Sequence, residues 1–252
     1  MKLERRAQIV DLINMQKTVN NAELMERFDI SIETVRRDLE YLEQQGYLRR
    51  VYGGAVANVS LTSEPEYDSR SQLQFQQKNA IAAEAAKLIR PGDSVYLGVG
   101  TTVQAMVQYM KNIGPITVFT NALRTAVALS DIPGCTVILP GGQLRAKELT
   151  LSGFPSEENL NHFNVDKAFI GIGGITESGI TDFHIGEAQV HRRLVENARQ
   201  SIALADSSKI GVRALNNICS LSQIHAVVTD GGAGKQAIKN LEKAGVRVIV
   251  AK

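Results

Sequence analysis

The chain has 252 residues, with 28 Lys and Arg against 26 Asp and Glu and a formal net charge of +2. That length supplies one large or two modest domains with a sizeable core. The near-balance of charge excludes a polyanionic partner held by bulk electrostatics alone. No apolar run approaches the ~20 residues that cross a bilayer, and the opening Met1–Arg6 leads into an amphipathic pattern, not a secretory core. Cys135 and Cys219 lack the paired spacing of a metal or redox motif. Both read as reduced thiols in or near a core, which places the chain in the cytoplasm.

In chain order, Arg5, Ile9 and Ile13 stand about one turn apart and predict a first helix, followed by a short extended link at Lys17–Val19. Asn20 with Glu23 forms a capping box for a second helix, whose apolar edge is Leu24 and Phe28. Asp29-Ile30 turns into Ser31, an N-cap for a third helix with Glu33 in its positive first turn. Ile32, Val35, Leu39 and Leu42 face a core, which leaves Glu33, Thr34, Arg36 and Arg37 outside, where a helix in a major groove presents groups to bases and phosphates. Gly46 ends the helix. Leu48 to Val51 then carries Arg49 and Arg50 into a turn at Tyr52-Gly53-Gly54, a short wing suited to gripping phosphates. Three helices and a wing make a winged helix-turn-helix over residues 1–58. Up to Asn58 nine basic residues meet nine acidic ones, so DNA binding rests on where the arginines point.

Residues 59–78 turn polar and are the expected linker. From 79 to 252 helical stretches alternate with short Val/Ile-rich runs, among them Ser94–Leu97, Ile116–Thr120, Ala168–Ile172, Ile202–Ala205 and Ala226–Thr229. Such a pattern predicts an α/β domain with a mainly parallel, doubly wound sheet, and ligands outside the carboxyl ends of its strands.

Four clusters fall there. Gly98-Val99-Gly100-Thr101-Thr102 is a Gly-rich strand-to-helix turn with two hydroxyls. It lacks the third glycine and the acid of a dinucleotide site and the lysine of a P-loop, so a monophosphate fits it better. Pro140-Gly141-Gly142 with Arg145 is either a plain turn or an anion contact, and Asn121 is a cap, a hydroxyl-binding amide, or both. Asp182, His184, Glu187 and His191 suggest a polar helix face for a sugar, a plain solvated helix, or, least in keeping with known spacings, a metal site. Asp206-Ser207-Ser208-Lys209 offers a mobile cation and hydroxyl donors to a phosphate. His162 and His225 have no companions and read as structural.

The run Ser31, Thr34-Val35-Arg36-Arg37-Asp38-Leu39 with Tyr52-Gly53-Gly54-Ala55, followed by Gly100-Thr101-Thr102, Thr120-Asn121, Gly141-Gly142, Asp166-Lys167-Ala168, Gly179, Glu187 and Asp206–Lys209, resembles the DeoR family of bacterial repressors over essentially the whole chain. That resemblance implies a sensor domain similar to the ribose-5-phosphate isomerase fold and a homo-oligomer, dimer or tetramer. It further implies a repressor of a carbohydrate operon, released from double-stranded operator DNA by a phosphorylated sugar, without cofactor or resident metal. The implied DNA face is Ser31, Glu33, Thr34, Arg36, Arg37, Arg49, Arg50, Tyr52 and Gly53. The implied effector residues are Gly98, Gly100, Thr101, Thr102, Asn121, Arg145, Asp182, Glu187, His191 and Lys209. Two positions depart from the family pattern: Gly98 replaces a common Asp and His191 a common Lys. The second predicts pH sensitivity, since a free imidazole titrates near ~6.5. The rival reading is an aldose–ketose phosphate isomerase with Glu187 as proton shuttle and Asp182 as helper.

Overall fold

The computed structural model describes residues 2–16, 18–57 and 64–252, which divide into two units, one up to Phe75 and one from Gln76.

In the first unit, α1 (Lys2–Gln16) leads to β1 (Thr18–Asn20), α2 (Asn21–Phe28), α3 (Ile32–Gln44) and the wing strands β2 (Leu48–Val51) and β3 (Gly54–Ala57). The three strands form an antiparallel sheet in the order β1-β3-β2. The Glu23 backbone N–H donates to Asn20 Oδ1 at 2.7 Å, one half of the expected capping box, and Asp29 closes α2 in the left-handed region at φ 48°. Ile9, Ile13, Leu24, Val35, Leu39 and Leu42 meet in one apolar core, as their helical spacing requires. Gly54 is forced by packing: a Cβ there would lie 2.0 Å from the Val19 carbonyl oxygen.

The stretch expected as linker is different in its described part. Residues 59–63 lie outside the described residues. Beyond them come α4 (Tyr67–Gln72) and the start of α5 (Phe75–Ala86). Leu73 enters the winged-helix core, Ser69 hydrogen-bonds Gln45, and Gln74 Nε2 donates to Asp11. The polar composition is that of a short helix surface with one apolar anchor, and the units divide at Phe75/Gln76.

The second unit is built on seven parallel strands. They are β4 (Ser94–Leu97), β5 (Ile116–Thr120), β6 (Cys135–Ile138), β9 (Val165–Gly171), β12 (Ala198–Leu204), β14 (Ala226–Asp230) and β15 (Arg247–Ala251), in the spatial order β15-β14-β12-β9-β4-β5-β6. Side chains alternate between two cores: Val95 and Leu97 pack with α5 and α6 (Thr101–Met106), while Tyr96 and Ala168 pack with α9 (Ile185–Asn197) and α10 (Lys235–Lys243). Between the sheet strands lie α7 (Leu123–Ser130), the hairpin β7 (Gln143–Arg145) and β8 (Thr150–Ser152), and α8 (Phe154–Leu160). A second, antiparallel sheet joins β10 (Gly174–Thr176), β11 (Gly179–Asp182) and β13 (Asn216–Cys219).

Strands run outward in one direction from β4 through β6, and in the other from β9 through β15. The topological switch therefore falls between β4 and β9, where a doubly wound sheet opens its crevice.

Candidate functional site

The first unit presents α3 and the wing together. Ser31 Oγ accepts the Thr34 backbone N–H at 3.3 Å and lies 3.1 Å from the Thr34 hydroxyl, so the cap also fixes that side chain. Arg36 and Glu33 are both about two-thirds exposed and 3.8 Å apart, a weak surface pair. Arg37 and Arg49 are exposed as well. A cleft of about 560 Å³ between helix and wing is lined by Asn21, Arg36, Leu39, Arg50, Tyr52 and Gly53. Tyr52 is fully exposed at the wing tip, and Gly53 beside it takes φ +83°, which a two-residue turn of this hand reserves for glycine.

The charge balance is resolved by geometry. Asp38, 1 % exposed, accepts from Arg5 Nε at 2.7 Å and Arg6 Nε at 2.7 Å, and the Arg6 guanidinium stacks 3.7 Å over Tyr41. Glu43 accepts the Arg50 backbone N–H at 2.7 Å and Arg50 Nε at 2.8 Å. Those contacts, the backbone one foremost, hold the Glu43 carboxyl below its ordinary range. Two acids are thus spent on architecture, and Arg50 is braced against α3. Arg37 and Arg49 have no carboxylate partner within 4 Å among the described residues. Asp38 with Arg5 and Arg6 was not expected as a unit. Its signal was an acid one turn from the apolar row of α3.

In the second unit, the candidate effector residues gather at the carboxyl edge around the switch point. Gly98, Val99 and Gly100 follow β4, and Gly171 ends β9. A Cβ on Gly171 would stand 2.2 Å from the Val99 carbonyl oxygen, so the two chains touch backbone to backbone. A Cβ on Gly98 would lie 2.8 Å from His191 Nε2. That nitrogen accepts the Val99 backbone N–H at 3.3 Å. His191 Nδ1 is 3.8 Å from Asp182 Oδ2, and Asp182 Oδ1 accepts the His184 backbone N–H at 3.3 Å. On α9, Glu187 Oε1 accepts from Arg145 Nη1 at 2.8 Å and from Thr150 Oγ1 at 3.0 Å, which ties the β7–β8 hairpin to the helix. Lys209 follows β12, with its Nζ 5.9 Å from the Phe183 ring. Asp206 caps the turn that carries it by accepting the Ser208 backbone N–H at 3.1 Å.

Burial sorts these residues into two rows. Gly100, Thr101, Arg145 and Lys209 are partly exposed; Gly98, Thr102, Asp182, Glu187 and His191 are buried beneath them. Asn121, expected among the contacts, is fully buried. It accepts from the Tyr96 hydroxyl at 2.6 Å and donates to the Leu151 carbonyl at 2.9 Å, so it frames the hairpin. Burial pushes the Tyr96 phenol far above its usual range, which keeps it a donor.

The expected pH sensitivity of His191 near neutrality does not hold. Burial alone pushes the imidazole down to about 4, so it is neutral there and its approach to Asp182 is no ion pair. With Nε2 accepting, the neutral ring carries its proton on Nδ1, toward Asp182. The metal alternative fares no better: His184 is the N-cap of α9, outside the helix, and Glu187 turns to Arg145. Among the described residues, no group of three or more His, Cys, Asp or Glu side chains is placed to hold a metal ion. No helix there is long and apolar enough to cross a membrane. Burial pushes the Cys219 thiol up to about 12, and both cysteines are free.

A winged helix with an exposed basic face, joined to a doubly wound domain with a polar cluster at its switch point, defines a two-part DNA-binding regulator. Residues 5–60 match the DeoR-like helix-turn-helix domain and residues 73–231 the DeoR C terminal sensor domain. The chain is 36% identical over 246 residues to the HTH-type transcriptional regulator YulB of Bacillus subtilis, covering 97% of this chain and 95% of that one. It is 32% identical over 228 residues to the glycerol-3-phosphate regulon repressor of Escherichia coli, covering 90% of each. Ribose 5-phosphate isomerase A of Methanocaldococcus jannaschii superposes with a TM-score of 0.41 at 18% identity over 54% of each chain. The chain belongs to the DeoR family of transcriptional regulators. It is a DNA-binding transcriptional regulator, and the Glu187 oxygen Oε1 already accepts two hydrogen bonds, from Arg145 and from Thr150.

Proposed function

We propose that the protein represses a carbohydrate-utilisation operon and leaves its operator when a phosphorylated sugar binds the carboxyl edge of the sensor sheet. The observation that carries this is the cluster at the β4/β9 switch point, where Gly100, Thr101, Arg145 and Lys209 are accessible above a buried polar layer. Lys209 has no carboxylate partner within 4 Å among the described residues and is the cation for the phosphate; Thr101 supplies a hydroxyl donor. Arg145, shared with Glu187, and the carboxylate row beneath suit sugar hydroxyls. The name of the glycerol-3-phosphate regulon repressor supports a phosphorylated ligand of this size.

On the DNA side, Ser31, Glu33, Thr34, Arg36 and Arg37 face the major groove. Arg49, Arg50, Tyr52 and Gly53 lie along the adjoining backbone. A homo-oligomer places two such faces on paired half-sites. Binding of effector and operator are coupled because each prefers a different arrangement of that assembly.

The test is release of operator in a gel-shift titration against a panel of phosphorylated sugars. Arg36→Ala is expected to weaken operator binding by about 1–3 kcal/mol and to relax base preference at one position; unchanged affinity removes Arg36 from the reading set. Lys209→Ala is expected to keep operator affinity while raising the effector concentration for half-release about tenfold, the worth of one charged contact. Normal release in that variant refutes the phosphate role.

A further inference from the structure

At the amino-terminal rim of the seven-stranded sheet, away from the switch point, β15, β14, β12 and β9 lie side by side. A cavity of about 320 Å³ opens there beside the end of α5. Its floor is apolar, made by Leu88, Ile202, Ala226 and Ile249. Its rim is basic: Lys87, Arg90, Lys167 and Arg247. Strand register builds this rim. Lys167 pairs with Gln200 across β9 and β12, and Arg247 stands opposite Ala226 across β15 and β14.

Two of the four cations are answered. Lys167 Nζ lies 2.6 Å from Asp93 Oδ2, and Lys87 Nζ 2.6 Å from Glu84 Oε1. The guanidiniums of Arg90 and Arg247 have no carboxylate within 4 Å among the described residues. His225, also in the lining, accepts the Ser201 backbone N–H at Nδ1 over 3.1 Å. A neutral ring held that way carries its proton on Nε2 and is a donor. The rim therefore offers two uncompensated positive charges and a fixed N–H above an apolar floor large enough for a small molecule.

We propose that this cavity is a second ligand site, one that takes an organic phosphate monoester. The dianion matches the two free guanidiniums, which bind phosphate oxygens in bidentate fashion, and the apolar floor receives the body of the ester. The site does not depend on the effector reading at the opposite edge.

The test uses the full-length protein with ¹⁵N-labelled histidine and phenyl phosphate as probe, followed at the His225 ring nitrogens. Phenyl phosphate is expected to shift the His225 Nε2 resonance saturably. Arg90→Ala and Arg247→Ala are each expected to weaken that titration about tenfold, whereas Lys209→Ala leaves it unchanged. An unmoved His225 resonance, or wild-type affinity in both arginine variants, overturns the site. A shift produced by duplex DNA and not by phenyl phosphate overturns it too, because the rim is then a nucleic-acid contact.

Discussion

Asp38→Ala is expected to cost the N-terminal unit about 3–5 kcal/mol, the usual consequence of deleting one partner of a buried ion pair. Asp38 is 1 % exposed, and both its oxygens are taken, one by Arg5 and one by Arg6. Without it, the nearly buried Arg6 guanidinium keeps only its stacking on Tyr41. A unit of about 75 residues has a total stability of roughly the same size, so most of it should unfold. Calorimetry should show an early transition moving down while the one belonging to the sensor unit stays in place. Operator binding should disappear with it. The contrast with Arg36→Ala is the point: two residues apart on one helix, one variant loses the fold and the other only the contact. Native melting of Asp38→Ala would refute the assignment.

The elements legible from the sequence are those with strong local patterns. The strands Ser94–Leu97 and Ile116–Thr120 and the helix after the Ser31 cap stand where their apolar runs and helical spacing put them, because strands buried on both faces read as unbroken Val/Ile stretches. The hairpin β7–β8 and the sheet of β10, β11 and β13 escaped notice. Their strands are only three or four residues long, too short for any periodicity to register. Helix α4 escaped for a related reason: Tyr67–Gln72 has polar composition and takes its stability from neighbours such as Leu73. At the sensor site, the loops after β4 and β12 were visible as glycine, threonine and lysine clusters. What the sequence could not carry was depth. Asn121 and His191 are polar and sit at strand ends or on a helix, which suits a ligand contact. Only the fold around them decides that they are buried and already hydrogen-bonded.

The same depth makes Gly98 and His191 one unit, although the sequence showed them as two separate departures from the family pattern. Gly98 has no need of a left-handed backbone, so the objection to a side chain there is purely steric: its Cβ would meet His191 Nε2 at 2.8 Å and the Phe169 carbonyl oxygen at 3.2 Å. The imidazole is 1 % exposed and cannot swing aside cheaply. Gly98→Ala is therefore expected to destabilise the sensor unit by about 1–3 kcal/mol, as overpacking of a filled core does. His191→Ala removes the obstacle but orphans the Val99 N–H, so it costs stability by itself. The double variant should be less destabilised than the sum of the singles by about 1 kcal/mol or more, the mark of residues in contact. Acid titration gives an independent readout. With the folded pKa at about 4 against 6.5 for the free ring, the unfolded chain takes its proton first. The stability owed to this group is complete above pH 6.5 and declines as pH falls toward 4, by about 3 kcal/mol in total. In His191→Ala that limb should be missing. Strict additivity of the two substitutions, together with an acid slope unchanged by removing the imidazole, would show that Gly98 is open for some reason other than the ring now lying against it.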